Sequence, residues 1–107
     1  MNEYINRAEI KGRVGSVRIF DTGSGKVAKL SVATEKLFKD RDGAVTIQTT
    51  WHCVQAWNKR GIPDIETIKN GAFVHVEGAM RQAKYATADG YTSSYSEILA
   101  DRLEILN

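Results

Sequence analysis

An all-β fold is what this sequence predicts. Apolar and polar residues alternate with a period of two through most of its 107 residues. Turn pairs such as Asp42-Gly43 and Asp89-Gly90 separate the alternating runs, and only one stretch carries the three-residue apolar spacing of a helix.

The first strand is expected over Arg7 to Val14, where Ala8, Ile10 and Val14 share one face and Arg7, Glu9, Lys11 and Arg13 the other. Gly12 and Gly15 near its end predict a bulge or sharp bend, which lets a strand curl around a small barrel. After the turn residues Asp21 to Gly25, the second strand runs from Lys26 to Thr34, with Ala28, Leu30 and Val32 inward and Lys29 and Ser31 outward. The charged segment Lys36 to Gly43 reads as a projecting loop that ends in the hairpin dipeptide Asp42-Gly43.

Val45 to Trp57 is β-branched and aromatic and forms the third strand. Val45, Ile47, Thr49, Trp51, Cys53, Gln55 and Trp57 take one parity, and His52, Val54 and Ala56 the other. From Pro63 to Lys69 a proline near the start, early acids, Ile65 and Ile68 three apart and a closing Asn70-Gly71 predict one short helix. Ala72 to Tyr85 alternates again, with Val74, Val76, Gly78 and Met80 inward, and Asp89-Gly90 turns the chain into a last strand through Leu103-Glu104-Ile105-Leu106. Five strands with a short helix between the third and fourth make a five-stranded, partly open Greek-key OB-fold barrel, an architecture that often binds oligonucleotides or oligosaccharides. Residues 1–107 are expected to form a single domain of this kind.

Composition narrows the function classes. Apolar residues make up 42% and charged residues 26%, the profile of an ordinary folded domain rather than a disordered one. Fifteen Lys and Arg against thirteen Asp and Glu give a formal charge of +2, which permits an anionic partner without demanding one. The single cysteine, Cys53, can form no internal disulfide, and Met1 to Ile5 carries neither a signal nor a transit pattern. No apolar run approaches the length of a membrane span, so a reducing cytoplasm is the expected location and no membrane partner is expected.

Candidate binding residues come from the aromatics. Trp51 and Trp57 lie six residues apart on one strand face, roughly 20 Å at about 3.3 Å per residue. With Val54 and Ala56 on the core side, both indoles look outward. Val45 and Ile47 share that parity, which calls for a bulge or bend along the strand. Burial of the indoles under a loop or in a subunit interface is the structural alternative. Phe38 stands among Lys36, Lys39 and Arg41, and Tyr85 follows Lys84. Cations interleaved with rings suit a single-stranded nucleic acid, because cations hold the backbone while the rings stack bases.

Several motifs occur together in order: Asn6-Arg7 leading into Ile10, Gly12, Val14 and Gly15; Leu30-Ser31-Val32-Ala33-Thr34; Thr50-Trp51-His52; Lys69-Asn70-Gly71; and Val76-Glu77-Gly78. In them the chain resembles the bacterial single-stranded DNA-binding protein family over nearly its whole length. The resemblance implies sequence-nonspecific, non-enzymatic binding of single-stranded DNA in replication, recombination and repair, in the bacterial cytoplasm at the nucleoid and without cofactor or metal. It implies that Phe38, Trp51, Trp57 and Tyr85 stack bases and that Lys36, Lys39, Arg41, Lys59 and Lys84 flank the phosphates. It further implies a homo-oligomer, a tetramer or a dimer, with His52 at a subunit contact; a buried, hydrogen-bonded ring is the other reading of His52. Family members continue into a polar linker and an acidic tip that recruits replication and repair proteins, whereas this sequence stops at Asn107. Recruitment is therefore not implied, whether the tail was trimmed or is naturally absent.

Other signals carry less. Gly23-Ser24-Gly25-Lys26 lacks the spacing of a phosphate loop and leads into a strand, so it reads as a turn. His52, Cys53 and His75 give no metal-ligand spacing on one element, and no Ser/His/Asp set stands out. The alternatives are a primosomal-type OB-fold adaptor that mainly bridges replication proteins and a small hydrolase.

Overall fold

Five strands take up most of the chain in a computed structural model that describes residues 2–107; Met1, the first residue of the N-terminal reading, lies outside them. They are β1 (Ala8–Thr22), β2 (Gly25–Lys39), β3 (Val45–Trp57), β4 (Phe73–Ala86) and β5 (Thr92–Ile105). Their order around the sheet is β1-β2-β3-β5-β4, and the sheet closes on itself. This is the expected OB-fold, closed rather than partly open. Closure between β3 and β5 rests on two parallel pairs, Val54 with Ile98 and Gln55 with Leu99. The inward parity fills the barrel, with Val14, Leu30, Val32, Val54, Val74, Val76, Ile98 and Leu103 all in one buried cluster, whereas Met80, expected inward on β4, is exposed.

Two strands outrun their sequence-based limits, each for a physical reason. In β1, Val14 pairs with Val32 but Ser16 pairs with Ser31, so Gly15 is an extra residue on one side of the ladder. That bulge moves the inward set from Ile10, Gly12 and Val14 to Val17. Simple alternation breaks there, and the strand runs on to Thr22. In β2, the charged segment from Lys36 is paired rather than looped. The β2–β3 register runs unbroken from Val27 opposite Trp57 to Lys39 opposite Val45. This arm extends beyond the core, so charge is tolerated on it while cross-strand bonds satisfy its backbone. Only its tip turns: Asp40 Oδ1 accepts from the amides of Asp42 and Ala44, each at 2.9 Å, and Gly43 takes a φ of 83° that favours glycine.

The expected helix is a single 3-10 turn, Ile65–Thr67. Asp64 caps it through its side chain at the amide of Glu66, 3.1 Å, and the amide of Ile68 already returns to the carbonyl of Ile65 at 3.2 Å. The segment is too short to propagate α-helix, yet the three-residue spacing still delivers Ile65 and Ile68, both buried, into the core. Lys26 reaches across to Glu66 at 2.8 Å, a contact that raises the lysine pKa through the hydrogen bond and the carboxylate charge.

Close approach explains two glycines. A Cβ on Gly12 would lie 2.2 Å from the Ala33 carbonyl oxygen, and one on Gly78 would lie 2.0 Å from that of Leu99. Among the described residues no helix is long and apolar enough to cross a membrane.

Candidate nucleic-acid interface

Trp51 is placed by its ladder. It stands opposite Ala33, with Cys53 opposite Ser31 on the same outward face, because Val54 and Ala56 of the other parity are buried. The indole reaches over β1: a Cβ on Gly15 would fall 2.4 Å from its Cζ3 and 2.6 Å from its Cη2. Gly15 therefore supplies both the bulge and the bare floor beneath the ring. Trp51 remains 59% exposed.

Beside it the outer face of β1–β2–β3 meets the β4–β5 hairpin in an open cleft of about 400 Å³, whose lining includes Arg18, Lys29, Cys53, Tyr85, Tyr95 and Glu97. The two tyrosine rings lie 5.9 Å apart and tilted, in the range of favourable aromatic pairs. Lys29 Nζ sits 3.4 Å from the Tyr95 hydroxyl, and the Arg18 guanidinium lies over Phe20 at 5.7 Å. A second depression of about 140 Å³ contains Trp51 and Met80 and shares Cys53 and Glu97 with the first. The two form one path from Trp51 to Tyr85, which is itself 50% exposed. On that path Glu97, 2% exposed, accepts from Arg81 Nε at 2.6 Å; a carboxylate so buried needs such a partner.

The residues expected from the sequence do not all meet here. Trp51 and Tyr85 line the path. Trp57 shares the face of Trp51 but is half-buried at the far end of β3, opposite Val27. Phe38 has the opposite parity to Trp51 in an unbroken register, so its ring lies on the other face of the β2–β3 arm, with Lys36 Nζ 5.1 Å above it. Lys39 and Arg41 are exposed at the arm's tip. Lys84 alternates with Tyr85 and so faces the other way, and Lys59 is held 3.2 Å from Asp101. His52 Nε2 lies 2.9 Å from Thr34 Oγ1 within the same chain. Val45 and Ile47 share the parity of Trp51 without any bulge in β3; both are exposed because the arm leaves the core.

Four path residues escaped sequence reasoning. Lys29 carried a signal, its outward position on β2. Arg18 was hidden by the Gly15 bulge, which ended the legible alternation at Val14. Tyr95 and Glu97 belong to β5, whose early half showed no clean period.

Chemically the path offers flat rings at both ends, with the cations Lys29 and Arg18 in the cleft at the tyrosine end. Such an arrangement stacks unpaired bases of any sequence and neutralises the phosphates that link them.

The comparisons with known proteins point the same way. Residues 5–106 match the profile of the Single-strand binding protein family. A single-stranded DNA-binding protein of Xylella fastidiosa is 30% identical over 109 residues, covering 99% of this chain and 66% of its own length. Single-stranded DNA-binding protein 1 from another strain of that species is 31% identical, covering 95% and 77%. The chain spans 60–66% of the length of the first three curated relatives. Among solved structures, a Plasmodium falciparum SSB complex with ssDNA superposes with a TM-score of 0.80 at 27% identity, covering both chains fully. A small single-stranded DNA-binding protein from Streptomyces coelicolor shares the fold, with a TM-score of 0.69 at 20% identity over 98% of this chain and 95% of that one.

Proposed function

This chain belongs to the single-strand binding protein family, and on that premise we propose that it binds single-stranded DNA without sequence preference and without catalysis. The observation that carries the reading is the open path from Trp51 to the Tyr85–Tyr95 pair, with Lys29 and Arg18 along it. Trp51 and Tyr85 take bases by stacking, which tolerates any base because every base has a π-face. Lys29 and Arg18 hold the intervening phosphates. Trp57 extends the stacking face at the end of β3. Phe38 with Lys36 serves the strand where it rounds the edge of the β2–β3 arm, and Lys39 and Arg41 guide it at the tip. Lys84 contributes from the flank of the β4–β5 hairpin, and Lys59 does so once released from Asp101.

The module works in the bacterial cytoplasm, at DNA exposed during replication, recombination and repair. It assembles as a homo-oligomer, a tetramer or a dimer, in which His52 lies near a subunit contact while bonded to Thr34.

Fluorescence anisotropy with labelled dT oligomers and with a duplex of equal length tests the proposal. Saturable binding of the single strand and much weaker binding of the duplex is the expected result; equal binding of both, or of neither, overturns it. Gly15→Ala provides a sharper check on the geometry. The added methyl displaces the Trp51 ring, so the tryptophan emission shifts and dT binding weakens several-fold, up to the 1–3 kcal/mol, about, of one lost stacking contact.

A further inference from the structure

Away from the DNA path, the outward face of the β1–β4 ladder gathers three ligating side chains. Glu9 pairs directly with Glu77, and Lys11 with His75. Their neighbours of opposite parity, Val74, Val76 and Ile10, pack into the core, so these side chains stand on the outside. His75 Nε2 lies 2.6 Å from Glu9 Oε2 and 3.7 Å from Glu77 Oε1. One ligand atom from each of the three falls within 4.8 Å of the others.

We propose that Glu9, His75 and Glu77 bind a divalent transition-metal ion of the zinc class, with water filling the remaining positions. Zinc bonds to imidazole nitrogen and carboxylate oxygen are about 2.0–2.2 Å, which sets tetrahedral ligand atoms about 3.3–3.5 Å apart. The separations of 2.6 and 3.7 Å straddle that edge length. Small side-chain rotations reach it, and the ion replaces the hydrogen bond between His75 and Glu9, with the imidazole ligating through Nε2 and carrying its proton on Nδ1. The ladder makes this possible without backbone change, because the pairing of Glu9 with Glu77 fixes two ligands directly across from each other.

Donor chemistry selects the class of ion. One imidazole with two carboxylates suits zinc and its neighbours, whereas calcium and magnesium prefer all-oxygen sets. The two carboxylates also supply negative charge directly at the ligand positions. The flanking charges offset that contribution, Arg7, Lys11 and Arg102 outnumbering Glu104, so the ligand set itself and not a surrounding negative field holds the ion. Lys11 on β1 and Glu104 on β5 face His75 from either side and oppose each other. Arg102, opposite Glu77 on β5, has Nε 3.9 Å from Glu104 Oε1, and Arg7 lies near Glu9. In the sequence His75 stood only beside His52 and Cys53 as a possible ligand; Glu9, 66 residues away, reaches it only through the β1–β4 register.

Calorimetric titration of the whole chain with zinc chloride, together with the visible absorption of bound cobalt(II), tests the site. Saturable one-to-one binding is expected, retained in Cys53→Ser, which removes the exposed thiol, and weakened at least about tenfold in His75→Ala and in the conservative Glu9→Gln. Zinc raises the melting temperature of the wild-type chain but not of either ligand variant. No saturable binding, wild-type affinity in either ligand variant, or loss of binding in Cys53→Ser overturns the proposal. Binding of dT oligomers is unchanged in His75→Ala and Glu9→Gln, so failure of this site and failure of the DNA-binding reading are read separately.

Discussion

Replacing Trp51 with alanine is expected to weaken binding of dT oligomers by about 1–3 kcal/mol, roughly five- to 150-fold in dissociation constant. The indole is the largest flat surface on the path, it is 59% exposed, and it rests on a glycine floor rather than inside the core. Its removal therefore costs binding and leaves folding nearly untouched. Equilibrium binding alongside a thermal melt checks both halves of the statement. Phe38→Ala should cost less, because its ring stands on the opposite face of the β2–β3 arm. A protein that used the same barrel chiefly to bridge other proteins would show little change in either variant.

The second large effect is on stability. Ile65→Ala is expected to cost about 2–5 kcal/mol, the usual range for truncating a fully buried isoleucine. Ile65 has no exposed surface, and it sits in a single 3-10 turn pinned by Asn58 Oδ1 at its amide, 3.0 Å. The loss comes from vacated volume in the barrel core, since little else there can collapse to fill it. It would remove a large share of the 5–15 kcal/mol, approximately, that holds a domain of this kind folded. Urea denaturation followed by far-ultraviolet circular dichroism measures it, and a change below about 1 kcal/mol would show that the turn is not part of the core.

These two residues also show what the sequence could reveal. Ile65 and Ile68 were legible because a spacing of three delivers them inward whether the segment is α-helix or one 3-10 turn. The inward valines of β2, β3 and β4 were legible because unbroken strands preserve period two. Arg18 was not, because one extra residue at Gly15 inverted the parity behind it. Phe38 was singled out by the cations around it and Trp51 by its strand face, and the resemblance grouped them without regard to which face of the sheet each ring takes. Only the pairing of Ala33 with Trp51 and of Phe38 with Thr46 separates the two faces. The Tyr85–Tyr95 pair depends on the register of β4 with β5, which a two-residue shift would have undone. Local pattern thus carried the core, and the site needed long-range pairing.

The most direct test is a titration of intrinsic tryptophan fluorescence with dT oligomers at about 50 and about 200 mM salt. Saturable quenching is predicted, with an affinity that drops roughly fiftyfold between the two salts if about four phosphates are neutralised, at a slope of about −0.7 per phosphate for single strands. Absence of quenching at the lower salt, or quenching that does not respond to salt, would contradict a strand held by stacked rings and fixed cations.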